Sequence, residues 1–215
     1  VGSMGVEAIK KHKLIKRKNI EKLLNLKLDK KNILMTFHPE TSRSKKENLI
    51  NLNKFLNCLK KLKKTSIIIT MSGADHHYKA ISSILNEFSK KNKNVFVFKS
   101  LGHDYYFSLC RVVDLMIGNS SSGIIEMPSF KKGTINVGIR QLGRIQAKSI
   151  INVDFSESEI LRAIKKIYSK NFIKLLKRVN NPYDKNNSSG KILKILKSIN
   201  LKKIQNKSFF DYRLL

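Results

Sequence analysis

The sequence is short of several things, and each shortage narrows what the chain can be. Of 215 residues only two are cysteine, Cys58 and Cys110. They share no CxxC spacing, so neither a disulfide framework nor a zinc cluster is expected. A reducing, cytoplasmic setting follows as the default. No stretch approaches 18 consecutive apolar residues, so no spanning helix and no membrane partner are expected. No charged-then-apolar leader opens the sequence, so secretion by that route is not indicated. Acidic residues are scarce, 15 against 44 Lys+Arg, which gives a net charge of +29. Arginine is scarce too, 8 against 36 lysines. What is present is enough hydrophobic material, 41%, to build a core and to argue against wholesale disorder.

The charge alone would suggest nucleic acid. Its distribution argues otherwise. Lys, Asn and Ile together make up about 38% of the chain and are spread along all of it. A nucleic-acid surface leans on arginine and interleaves aromatics. Here the pairs Lys10-Lys11, Lys60-Lys61, Lys63-Lys64 and Lys90-Lys91 fall on helix-like segments. They read as solvated helix faces, with no specific nucleic-acid partner and only a weak pull on polyanions.

Short apolar runs alternate with longer amphipathic ones. Strands are expected at 33–37 (ILMTF), 67–71 (IIITM), 95–98 (VFVF), 114–118 (DLMIG), 134–138 (TINVG) and 150–153 (IINV). Helices are expected at 46–63, 78–91, 104–112, 121–130, from Ser156 onward, and at about 190–199. Before residue 33 there are two short helical patterns and no strand. Ser156 with Glu159 three residues on has the spacing of a capping box. Apolar strands without strict alternation, separated by helices, predict a parallel sheet covered on both faces. The fold class is α/β, doubly wound and Rossmann-like. Such folds bind ligands in the loops beyond the carboxyl ends of their strands.

Those loops hold the informative residues. IGNSSSGIIE (117–126) runs from a strand end through Ser120 and Ser121 into a helix start. Free N–H groups and serine hydroxyls there suit phosphate, and Gly123 permits close backbone approach. Glu126, one turn in, could accept from a ribose diol. An ordinary N-cap with a solvated glutamate is the plain alternative. GIRQLGR (138–144) brings Arg140 to the same edge, as a phosphate partner or a surface ion pair. FHPET (37–41) puts His38 at the end of the first strand, as a proton carrier or a structural histidine. LGHDYYFSL (101–109) adds His103. His76-His77 lacks the partners of a zinc site, and no metal or cofactor is expected. There is no Walker loop, no GxGxxG and no paired-carboxylate constellation. Together the loops describe a nucleotide-diphosphate site.

The same segments resemble the C-terminal half of the hydrolysing UDP-N-acetylglucosamine 2-epimerases. FHPET, GAD (73–75), GHDYYFSL (102–109), IGNSSSGIIEMPSF (117–130), INVGIRQLGR (135–144), NPY (181–183) and SSGKIL (188–193) occur in family order over about residues 1–200. NSSSG and HPET stand where non-hydrolysing relatives have DSGG-type and HRREN-type segments. The opening VGSMGVEAI is similar to the family's inter-domain linker. The resemblance implies the C-terminal domain of a glycosyltransferase-B-type fold, with 1–30 as linker and lead-in helices, 31–200 as the UDP-binding domain and 201–215 as a tail. It implies elimination of UDP from UDP-N-acetylglucosamine, hydration of the glycal and release of N-acetylmannosamine for sialic-acid-type synthesis. By the same likeness His103, Ser120 and Ser121 would hold the diphosphate, Glu126 the ribose and Arg140 the nucleotide. His38 would stand at the reacting sugar phosphate. His76-His77 departs from the small turn of relatives, which bears on the sugar pocket. The family's N-terminal domain, with the acid–base carboxylates, would have to come in cis or in trans, and the chain alone would bind UDP without turnover. A homo-oligomer is the expected assembly. Two readings stand beside this one: a hydrolysing 2-epimerase for a diacetamido-trideoxy UDP-sugar, and a non-catalytic nucleotide or polyanion-binding module.

Overall fold

Six apolar segments become six strands, each within two residues of its expected bounds. They are β1 (Lys31–Thr36), β2 (Thr65–Thr70), β3 (Val95–Phe98), β4 (Leu115–Gly118), β5 (Gly133–Val137) and β6 (Ile150–Val153). The computed structural model describes residues 1–73 and 75–200. The expected tail, 201–215, and Ala74 of the GAD segment lie outside the described residues. The strands form one sheet in the order β3-β2-β1-β4-β5-β6, with every neighbouring pair parallel. β2, β4 and β5 are buried at every position, as two covered faces require.

The strands do alternate, though between two cores rather than between core and solvent. Ile33 and Met35 of β1, Ile67 and Ile69 of β2, and Leu115 and Ile117 of β4 enter one cluster. Leu34, Ile68 and Met116, one residue out of phase, enter the other. The first cluster is closed by α3 (Lys45–Lys60), α4 (Tyr78–Lys91) and α7 (Glu157–Ile167), the second by α2 (Arg17–Leu23) and α5 (Gly102–Val112). Each side chain so buried contributes about 1.5–3 kcal/mol. The lysine pairs at 10–11, 60–61, 63–64 and 90–91 are exposed, as solvated faces should be.

Three local expectations are corrected. Ser156 makes no side-chain cap bond. Its partner Glu159 instead accepts from the Asp154 amide at 3.1 Å. The capping box lies at α3, where the Ser44 side chain accepts from the Glu47 amide and Glu47 accepts from the Ser44 amide at 2.8 Å. The expected helix over 121–130 is two pieces, α6 (Ser121–Ile125) and a 3₁₀ turn at Met127–Phe130. Pro128 lacks the N–H that would continue the ladder. Finally, α8 (Lys170–Lys177) is an additional helix, capped by Ser169, that buries only Phe172 and Leu176. Two anchors in eight residues give little period to read. The last described helix, α9 (Ser188–Ser198), packs on α1 (Met4–Lys11), where Glu7 accepts from the amide and hydroxyl of Ser189 at 2.8 Å each.

Candidate functional site

The strand order reverses between β1 and β4. In a doubly wound sheet the crevice for ligands opens at that reversal, beyond the carboxyl ends. Here Thr36 lies beside Gly118. Gly118 has φ +133°, and a Cβ there would come within 2.0 Å of the Thr36 carbonyl oxygen. Only glycine lets β4 run this close to β1 and then turn away.

The next residue, Asn119, is fully buried. Its Oδ1 accepts from the His38 amide and its Nδ2 donates to the His38 carbonyl, both at 2.7 Å. Its own carbonyl accepts from Gln141 Nε2 at 2.8 Å and from an Arg140 guanidinium N–H at 3.2 Å. One asparagine therefore ties together the loops after β1, β4 and β5. Glu40, 3% exposed, makes a second tie. Its Oε1 accepts from the Ile139 amide at 2.8 Å and the Arg140 amide at 3.2 Å, and its Oε2 from Arg43 Nε at 2.5 Å. Gly138, at φ +79°, makes room, since a Cβ there would sit 2.3 Å from Glu40 Oε1. Neither Asn119 nor Glu40 is among the residues the sequence reading selects. A carboxylate directly behind the first strand, in a chain so poor in them, was the available signal for Glu40.

A cleft of about 430 Å³ opens on this rim, within the ordinary range for small-ligand sites. His38, His103, Ser120 and Ser122 line it, with Lys99 and Tyr106. His103 is exposed and stacks on Phe107 with ring centroids 5.6 Å apart. His38 Nδ1 lies 2.6 Å from Asp75 Oδ2. Burial, the largest influence, lowers the His38 pKa; Asp75 pulls it up and the Arg140 charge adds to the lowering.

The remaining expected residues are near but placed differently. Ser121 is the first residue of α6, and Ser120 caps that helix. Ser120 already accepts the amides of Ser122, through its hydroxyl at 3.3 Å, and of Gly123, through its carbonyl at 3.2 Å. A five-residue helix also has little dipole of its own. An anion at this turn would therefore rest more on side chains than the sequence suggests. Gly123 does permit a close backbone approach, and the surface approached is β5: its missing Cβ would strike Thr134 Cγ2 at 2.6 Å. Glu126 stands behind the cleft, and Tyr106 donates to Ser122, which donates to Glu126 at 2.5 Å. Burial raises the Glu126 pKa. Arg140 borders a neighbouring cavity of about 590 Å³, shared with Arg43, Asp75, His76 and His77. The rings of His76 and His77 are 5.7 Å apart, and among the described residues no three metal-ligating side chains gather. The six expected residues thus share one sheet edge, with three on the cleft wall, two behind or beside it, and Arg140 across the Asn119 tie.

Comparison with known proteins gives concordant results. Residues 1–197 match the family described as UDP-N-acetylglucosamine 2-epimerase. A Campylobacter jejuni protein described as a hydrolyzing GDP/UDP-N,N'-diacetylbacillosamine 2-epimerase is 38% identical over 213 residues, 98% of this chain and 55% of its own length. The Escherichia coli polysialic acid biosynthesis protein P7 is 32% identical over 213 residues, 98% of this chain and 54% of its own length. The chain thus spans about half the length of the curated relatives it matches. Among solved structures, the Methanocaldococcus jannaschii UDP-GlcNAc 2-epimerase in complex with UDP-GlcNAc and UDP aligns with a TM-score of 0.69. The identity is 20%, over 92% of this chain and 54% of that one, so this likeness speaks for the fold alone. With a family match running from the first residue through nearly all of the described chain, this protein belongs to the UDP-N-acetylglucosamine 2-epimerase family.

Proposed function

We propose that this chain is the nucleotide-sugar-binding half of a hydrolysing UDP-sugar 2-epimerase. The carrying observation is the rim where Asn119 binds the His38 loop and the Arg140 loop into one wall around a cleft with His103 and Ser120. In this reading His103, Ser120 and Ser121 hold the diphosphate. Glu126, set by Ser122, takes the ribose, Arg140 supplies positive charge beside the nucleotide, and His38 stands at the reacting sugar phosphate. Loss of the diphosphate develops charge on its oxygens, and fixed donors and cations on this rim stabilise it. The double bond left in the sugar then takes up water.

For the sugar we favour a UDP-linked diacetamido sugar, because the 38%-identical relative is an epimerase of a diacetylbacillosamine nucleotide. The polysialic-acid relative favours the second reading, UDP-N-acetylglucosamine converted to N-acetylmannosamine. Residues 31–200 form the UDP-binding domain and 1–30 the lead-in from a further domain. That domain brings the acid–base carboxylates, in cis or in trans, within a homo-oligomer. A reducing cytoplasm suits the two free cysteines. No described helix is long and apolar enough to cross a membrane.

Two measurements test this. Calorimetric titration should show UDP binding to the 215-residue chain, weakened at least tenfold by Arg140→Ala. An assay of both sugar nucleotides should show no turnover by the chain alone. With the complementary domain present, the diacetamido substrate should be consumed faster. Robust release of free sugar by this chain alone, or binding indifferent to Arg140 and steeply salt-dependent with RNA instead, would overturn the assignment.

A further inference from the structure

His38 receives a bond that the sheet does not dictate. Asp75, carried by the loop after β2, places Oδ2 2.6 Å from His38 Nδ1. Both side chains are largely covered, at 18% and 35% exposure. An ionised carboxylate can only accept, so Nδ1 carries the hydrogen and Nε2 keeps its lone pair. His76 and His77 follow Asp75, and Glu40 and Arg43 of the loop after β1 line the cavity that Asp75 borders. Tyr106 of α5 lines the cleft with His38. Further charged groups come from two more loops. Arg140 arrives from β5–β6, and Lys99 and His103 arrive from β3–α5 and line the same cleft. Burial and Arg140 hold the ring toward its neutral form against Asp75. A neutral ring in this tautomer has no hydrogen on Nε2 to give a phosphate oxygen. A diphosphate entering the cleft adds negative charge beside the ring and offsets Arg140, which favours the imidazolium.

We propose that Asp75 is a positioning residue that fixes His38 as an Nδ1–H donor, so that a nucleoside diphosphate binds this chain together with one proton, taken up at His38 Nε2. The proton comes from solvent and lands on the ring lone pair, and no bond of the ligand breaks. The imidazolium then donates Nδ1–H to Asp75 and Nε2–H to a phosphate oxygen. This rests on the nucleotide reading above and adds to it a second bound species and a residue that selects the tautomer.

The test is calorimetry of UDP binding to the 215-residue chain at pH 7.5 in two buffers of different ionisation enthalpy. The difference in observed heat counts protons. His38→Gln keeps a hydrogen-bonding group without titrating, so it reports the ligand's own share. The wild-type chain should take up about one proton more than His38→Gln, and its affinity should fall up to about tenfold per pH unit between the ring's pKa in the free chain and its higher pKa in the complex. Asp75→Asn keeps an acceptor but also allows the other tautomer, in which Nε2–H donates with no proton taken up. It should lose most of the excess uptake and flatten the pH dependence, and Asp75→Glu should restore both. Thermal melts verify that the variants fold, and a purely structural Asp75 would move the melts without moving the proton count. Equal uptake by wild type and His38→Gln, or Asp75→Asn indistinguishable from wild type in uptake and pH profile, overturns the proposal and leaves nucleotide binding standing. A wild-type chain that binds no UDP overturns both.

Discussion

Two walls of the same rim are built differently. On the β4–β5 side, side-chain bonds cross between loops that are 81 to 100 residues apart in sequence: Asn119 to the backbone of His38, and Glu40 to the amides of Ile139 and Arg140. Asn119 and Glu40 are buried, and the backbone around them is tight enough to demand glycine at 118 and 138. On the β2 side, among the described residues, the loop between β2 and α4 meets the rim through one side-chain bond, Asp75 to His38. Gly73 has nothing near its missing Cβ, and His77 starts α4 with φ +63° and no side-chain cap bond. The first wall is a fixed frame, and in the function proposed above it is the side that would hold the nucleotide. Apart from Asp75, the second is less constrained, with open space at Gly73 and no side-chain cap bond at His77.

Substitution can break or sharpen this contrast. The largest effect belongs to Gly118→Ala, because a methyl 2.0 Å from a backbone oxygen cannot be relieved by a rotamer. We expect a loss above about 4 kcal/mol, or no folded protein, in urea denaturation. Next comes Asn119→Ala, which removes both side-chain bonds to His38 and leaves two half-buried backbone groups without that partner. About 2–3 kcal/mol of stability should go, together with most of the UDP affinity measured calorimetrically. Glu126→Gln should be smaller and should depend on pH. Burial raises the carboxyl pKa in the folded chain. Its contribution is therefore present below the unfolded value of 4.5 and is lost as pH rises through the raised folded one. A neutral amide escapes that loss, so at pH 8 the variant should melt about 2 °C higher than wild type while binding UDP more weakly. The smallest effect is expected of Gly73→Ala, within about 0.5 kcal/mol, by the same denaturation assay. If Gly73→Ala proved as damaging as Gly118→Ala, the contrast between the two walls would be lost.

The strands were legible because each is written in one short apolar run; the order that sets β1 beside β4 was not, since a parallel sheet puts every strand-to-helix loop on one edge whatever the order. The residues that assemble the edge were not legible. Asn119 sits in a serine-rich turn and reads as a cap neighbour, and nothing local says that its partner is His38. Glu40 reads as part of a surface loop, yet it is 3% exposed because its acceptors face amides from residues 139 and 140. The Ser156 expectation failed for a related reason. Serine followed three residues later by glutamate occurs at both 44–47 and 156–159, and the spacing cannot say which backbone amide the carboxylate will reach. In the second case it reached Asp154. Gly123 makes the close approach its motif suggests, and the motif does not say that the surface belongs to β5.

Glu40 has one more effect, on charge rather than shape. An acid inside an anion-binding edge would ordinarily cancel the nearest cation. This one is saturated by two peptide amides and by the side chain of Arg43, and from Arg140 it takes only the main-chain N–H. The loop is anchored while the guanidinium of Arg140, which also donates to the Asn119 carbonyl, makes no bond to the Glu40 carboxylate and is left for the phosphate contact proposed above.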